Sequence, residues 1–335
     1  MTIRVGLIGA GTMGAEHASI MAREIGGCSL EAIADADRDR AAAIASKLGI
    51  RKVEADGLAL IDDPQIDAVL IASSDETHFD LSMTCVRLGK PVFCEKPLAM
   101  TSTECLRLVE AEMGVGRRLL QVGFMRRFDQ GYLDMKAAVD GKRFGSPLFL
   151  HCIHRIATAP HYFKTELIPF ASAVHEIDAA RFGLGEEFSR VSVHPGRPSA
   201  NAPERYPLLF IFQSASGVLM DVEISTDPQY GYDVRAELVM ESGALALVPP
   251  GASTISWEGS VGNRVHCDWT TRFAAAYRRQ ATAWIRSITT KTPCGASAWD
   301  GYVATKLAED CVTALREASN QNLTLESEPD FYATP

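Results

Sequence analysis

From Ile3 to Phe124 the chain alternates short, mostly apolar runs with stretches whose apolar positions recur at helical spacing. The apolar runs are Ile3–Ile8, Leu30–Ala34, Ala68–Ala72, Pro91–Cys94 and Leu119–Phe124. Helical patterns at Met13–Ile25, Asp39–Leu48, Thr77–Leu88 and Thr101–Met113 lie between them. Strands apolar at most positions, on both faces, predict a parallel sheet covered by helices through right-handed crossovers. Gln130–Val139 reads as one more helix, and then the pattern changes. From about Pro147 to Ile255 strands dominate. Val218, Met220, Val222 and Ile224 alternate with Leu219, Asp221 and Glu223, a period of two that marks one buried and one more polar face. Arg205–Phe212 and Val218–Ser225, joined by Gln213–Gly217, read as a hairpin. Helical patterns return at Thr271–Ser287 and Trp299–Ala318.

The predicted class is α/β: a doubly wound parallel sheet over residues 1–122, then an α+β domain over 123–335 with a large, open, mostly antiparallel sheet. A C-terminal helix is expected to pack back on the first domain. The open sheet's second, partly apolar face needs a cover, and another subunit is the simplest one, so a homo-oligomer is expected. The tail after Leu325 is expected to be loosely held.

Composition narrows the classes. A chain of 335 residues exceeds one ordinary core, and 47% apolar residues fit a globular protein. A net charge of −9 argues against nucleic acid and against an acidic membrane surface. No apolar run reaches the roughly 18 residues of a membrane span, and no secretory pattern precedes the first strand. The eight cysteines are scattered without a CxxC pair, which reads as reduced thiols in a cytoplasmic protein. His151 and His154, with His161 beyond, suggest zinc, but strand positions three apart point to opposite faces, so no metal site is expected.

The candidate chemistry begins at Gly9-Ala10-Gly11-Thr12-Met13-Gly14, between a strand and a helix. Gly9 permits a tight turn, Gly11 lets backbone approach a pyrophosphate, and Gly14 lets the helix pack close to the strand. The helix N-terminus at Thr12 and Met13 offers free N–H groups to phosphates. Asp35, at the end of the next apolar run, suits a ribose diol, and its charge favours NAD over NADP. Arg38 and Arg40 lie close enough to soften that preference. Ser73, Ser74 and His78 follow the third strand, and Glu95-Lys96-Pro97 follows the fourth. Ligands bind outside the carboxyl ends of such strands, so these residues, with Arg126 beyond the fifth, form the expected cofactor-binding set.

Taken with His175-Glu176-Ile177-Asp178, these motifs resemble the glucose–fructose oxidoreductase/inositol dehydrogenase (Gfo/Idh/MocA) family. Gly123–Asp129 and Tyr230-Gly231-Tyr232-Asp233 are most similar to its myo-inositol 2-dehydrogenase branch. The resemblance covers nearly the whole chain. It implies a Rossmann domain, a sheet domain that commonly mediates tetramers, and hydride transfer between nicotinamide and a carbon of a small polyol or sugar. By position it makes Lys96 the residue that holds the reacting hydroxyl and His175 the acid/base. It also implies a cis peptide before Pro97. Arg127, His154, Tyr230, Tyr232, Asp233 and Tyr277 are candidate substrate contacts, read otherwise as solvated surface or strand packing.

Two departures stand out. Ala171 occupies the place of an aspartate that would orient the histidine, and Ile156 the place of an asparagine. Asp178, three residues after His175, is a candidate orienting acid or else a structural salt-bridge partner. Three readings stay open: oxidation of a less hydroxylated or differently oriented polyol or sugar, reduction of a ketone, and a dinucleotide-binding protein without turnover.

Overall fold

The computed structural model describes residues 2–160, 162–247 and 254–333. Contacts divide the chain into two compact units. One is Met1–Phe128 with Ala275–Lys306 and Glu326–Pro335; the other is Asp129–Ala274 with Leu307–Leu325.

The first unit follows the strand–helix alternation of the sequence. Its elements are β1 (Ile3–Ile8), α1 (Thr12–Arg23), β2 (Cys28–Ala34), α2 (Arg38–Leu48), β3 (Lys52–Glu54), α3 (Gly57–Asp62), β4 (Ala68–Ile71), α4 (His78–Arg87), β5 (Val92–Cys94), α5 (Ser102–Val115) and β6 (Leu120–Val122). The strands pair in parallel in the order β3-β2-β1-β4-β5-β6. β4, β5 and β6 are buried at every position, as a sheet covered on both faces requires. Burying each of Val69, Leu70 and Ile71 contributes roughly 1.5–3 kcal/mol. The chain winds outward from β1 to β3 and then returns to β4, so a crevice opens at the carboxyl ends of β1 and β4. Helix ends are specified locally. Thr101 and Glu104 form a capping box on α5, Asp37 caps α2, and left-handed Gly49 and Gly116 end α2 and α5. β3 and α3 were not anticipated, because elements of three and six residues are too short to show a period.

The second unit contains α6 (Gln130–Asp140), β7 (Pro147–Arg155), α7 (Val174–Leu184), β8 (Phe188–Pro195), β9 (Leu208–Ser214), β10 (Leu219–Ser225), β11 (Asp233–Met240), β12 (Gly243–Ala246), β13 (Thr254–Trp257) and β14 (Ser260–Asn263). Then come α8 (Trp269–Thr290), α9 (Ala298–Glu317), β15 (Gln321–Asn322) and α10 (Asp330–Ala333); the division between units falls inside α8 and α9. The main sheet runs β12-β11-β7-β10-β9-β8-β15 and is antiparallel except for the pair β7–β10. The expected hairpin is β9–β10, with Met220, Val222 and Ile224 fully buried. α6 and α7 cover the face that carries Leu150, Cys152 and His154. The other face presents Phe149, Leu209, Ile211 and Leu219, each 37–42% exposed.

The tail corrects the expectation of looseness. Tyr332 in α10 is buried, and its hydroxyl donates to Glu112 at 2.7 Å. The same carboxylate accepts the amides of Leu119 and Leu120, and the Glu326 amide donates to Tyr302. A buried carboxylate needs such donors, and the tail supplies one.

Candidate functional site

In the first unit the glycine turn has the geometry its chemistry demands. Gly9 has φ +101°, and a Cβ there would lie 2.3 Å from the Ala72 carbonyl oxygen. A Cβ on Gly14 would lie 2.0 Å from the Gly9 carbonyl oxygen, so α1 starts pressed against the turn. At Gly11 a Cβ would meet open space: this glycine faces the crevice. No side chain caps α1, which leaves the amides of Thr12 and Met13 for a ligand. The crevice measures about 480 Å³ and runs from Gly9 and Gly11 past Asp35 to Ser73 and Ser74. Glycine turn, helix terminus and acid thus fit a dinucleotide.

Asp35 directly follows β2 and is caged. It accepts from the Ala10 amide at 2.5 Å, the Asp37 amide at 2.8 Å and the Arg40 guanidinium at 2.7 Å. Burial works against its charge, but Arg40 and the two amides outweigh burial and hold the carboxyl below its ordinary range. Sequence proximity suggested Arg40 as a neighbour; the direct ion pair is the finding.

The loops after β4 and β5 are tied together by His78. Its Nδ1 lies 2.7 Å from the Pro97 carbonyl and its Nε2 3.2 Å from the Ser73 carbonyl, with the residue 1% exposed. Carbonyls only accept, so only the imidazolium satisfies both contacts at once. Burial opposes that charge, but the Cys94 side chain, the Pro97 carbonyl and Asp75 outweigh it, and the pKa is pushed up to about 10. The Ser73 hydroxyl bonds Thr77, and Ser74 accepts from Thr77 through its carbonyl. The Lys96–Pro97 bond is cis.

Glu95 turns back into the interior. It bonds His17 of α1 at 2.7 Å and the Lys96 amide at 3.2 Å, and its carboxylate fills the space where Gly123 lacks a Cβ. Tyr277 lies buried with its ring edge-on to His17. Arg126 is buried in the short turn Met125–Phe128, and Arg127 pairs with Asp300 at 2.7 Å.

In the second unit His175 sits in the first turn of α7 and is buried. A π-helical turn, Pro169–Ala173, precedes it and contains Ala171. His154, at the end of β7, brings its ring centroid to 6.4 Å from that of His175. Its Nδ1 bonds the Glu176 carboxylate at 3.1 Å. Tyr232 stands edge-on to His154 at 5.6 Å, and Asp178 is fully buried in the same helix as His175. Glu176 stands next to His175 in the His175–Asp178 motif, but its partner lies 22 residues away, beyond local spacing.

Tyr230 and Asp233 lie elsewhere. Asp233 pairs across the sheet with Arg155, on the face opposite His154, and accepts from Tyr230 at 2.6 Å and from Arg235. Arg155 adds Glu223 to this network. The structure therefore groups His154, His175 and Tyr232 and separates Tyr230 and Asp233 from them. His151 does face away from His154 and pairs with Asp221, while His161 lies outside the described residues. Among the described residues no group of three or more His, Cys, Asp or Glu is placed to hold a metal. No described helix is long and apolar enough to cross a membrane.

Comparison with known proteins is consistent across the length of the chain. Residues 3–124 match the oxidoreductase family with an NAD-binding Rossmann fold, and residues 132–246 match the GFO/IDH/MocA C-terminal domain. Inositol 2-dehydrogenase 1 of Saccharopolyspora erythraea is 46% identical over 338 residues, covering 100% of both chains. Inositol 2-dehydrogenase of Klebsiella pneumoniae is 37% identical over 99% of each. The crystal structure of myo-inositol dehydrogenase from Lactobacillus casei, in complex with NAD(H) and myo-inositol, superposes with a TM-score of 0.95 at 29% identity, covering 99% of this chain and 100% of that one.

Proposed function

Since the chain belongs to the Gfo/Idh/MocA oxidoreductase family, we propose that it is an NAD-dependent dehydrogenase of a cyclic polyol or sugar. One observation carries the reading: the chain matches, end to end, an enzyme solved with NAD(H) and myo-inositol, and it has Lys96 and His175 at the motif positions. Bound NAD would supply the acceptor for the hydride that leaves the substrate carbon. Lys96 donates to the reacting hydroxyl and offsets the oxyanion that develops there. His175 takes the hydroxyl proton on an imidazole nitrogen and returns it in the reverse direction. Gly11 and the amides of Thr12 and Met13 would hold the pyrophosphate, and Asp35 would hold the ribose diol. The Asp35 charge repels an added phosphate, which favours NAD; Arg40 moderates this.

Ala171 and Ile156 carry no polar side-chain atoms, so the pocket suits a ring with fewer hydroxyls than myo-inositol, or with a different orientation of them. The apolar residues on the open sheet face support a homo-oligomer, either dimer or tetramer, and the eight cysteines, none in a disulfide, support a reducing, cytoplasmic setting. The test is NADH formation with inositol stereoisomers, deoxy-inositols, pentitols and aldoses, alongside calorimetric NAD binding. Turnover of at least one cyclic polyol is expected. NAD binding with no turnover in either direction overturns the dehydrogenase reading.

A further inference from the structure

We infer that Glu176, held by His154, is the carboxylate that electrostatically supports His175. The inference rests on the reading above, in which His175 moves the substrate proton. One turn before His175 stands Ala171, which offers no acid. The structure supplies one by another route. The Glu176 carboxylate lies within 3.1–3.2 Å of His154 Nδ1, and the two side chains are 1% and 3% exposed. A carboxylate so buried keeps its charge only with a donor, so Nδ1 carries a proton towards it and the tautomer of His154 is set. The His154 ring stands tilted against His175, and Tyr232 closes another side of His154.

The cluster therefore holds two imidazoles beside the Glu176 carboxylate in the buried interior of the second unit. A proton taken from substrate by His175 makes an imidazolium there, and the Glu176 carboxylate offsets its charge. The other titratable groups of this region are Asp178, buried in α7, and Tyr232, edge-on to His154 on the approach to β11.

The experiment is an NMR titration of the His175 imidazole in the full-length, cofactor-free protein, assigned with His175→Asn. In Glu176→Gln the His175 pKa should fall by about one to two units, and the acid limb of the kcat/KM profile should move the same way. In His154→Gln, whose amide still meets Glu176 while the competing ring is gone, the His175 pKa should stay level or rise. Asp178→Asn should leave it in place. The inference is overturned if Glu176→Gln leaves His175 unmoved, if Asp178→Asn alone moves it, or if both cluster variants lower it equally, as general loosening would. Should the polyol panel be silent while the titration behaves as stated, the dehydrogenase reading fails and the cluster stands.

Discussion

Removing His78 tests whether a buried positive charge holds the two loops beside the crevice. The structure sets the magnitude in two ways. Two hydrogen bonds from a charged donor, each worth about 1.5–3 kcal/mol, give about 3–6 kcal/mol. A pKa raised from 6.5 to about 10 gives roughly 5 kcal/mol at 1.36 kcal/mol per unit. The sign follows from linkage. The folded protein binds the proton more tightly than the unfolded chain, so the stabilisation is complete below pH 6.5 and is lost as pH rises towards 10. Between those limits it should decline by about 1.4 kcal/mol per pH unit. His78→Gln keeps one amide donor and no titrating charge. Guanidinium unfolding of both proteins, followed by tryptophan fluorescence at several pH values from 7 to 10, should show a stability gap of about 3–4 kcal/mol at pH 7 that closes steadily. A gap independent of pH would refute the imidazolium. If the variant does not fold, the His78 ring resonances of the wild type decide: they should remain those of a protonated ring at pH 8.5, well above the ordinary histidine pKa of about 6.5.

Lys96→Met should lower kcat by about a hundredfold or more while NAD still binds, read by steady-state kinetics and calorimetry; unchanged kcat would remove Lys96 from the chemistry. Asp35→Ser should cut the NAD-to-NADP ratio of kcat/KM by about 10–100-fold, since the ribose partner goes and Arg40 is released for a phosphate. A native preference for NADP would contradict the assignment. Tyr332→Phe should cost about 1–3 kcal/mol in denaturant melts, because Glu112 stays buried with one donor fewer; no loss would mean that the tail contact contributes nothing.

Much of the first unit was legible in the sequence, because its signals are local. Ile3, Val5, Leu7 and Ile8 make β1 an apolar strand despite Arg4, and Gly9 and Gly14 occupy places where the neighbouring backbone excludes a side chain. Asp35 could be placed by its distance from that turn. The alternation from Val218 to Ile224 likewise showed which face of β10 is buried. These readings depend on periods of two or 3.6 residues and on steric rules that act within a turn.

Tertiary structure decided the partners of the buried polar groups. Glu95 meets His17 across 78 residues, Glu112 meets Tyr332 across 220, and Glu176 meets His154 on a different element. It also decided the parallel pairing of β7 with β10 and put Tyr230 and Asp233 on the sheet face opposite His154. No local period encodes such pairings. A buried charge must find a donor wherever the folded chain brings one, and only the complete packing determines which residue that is.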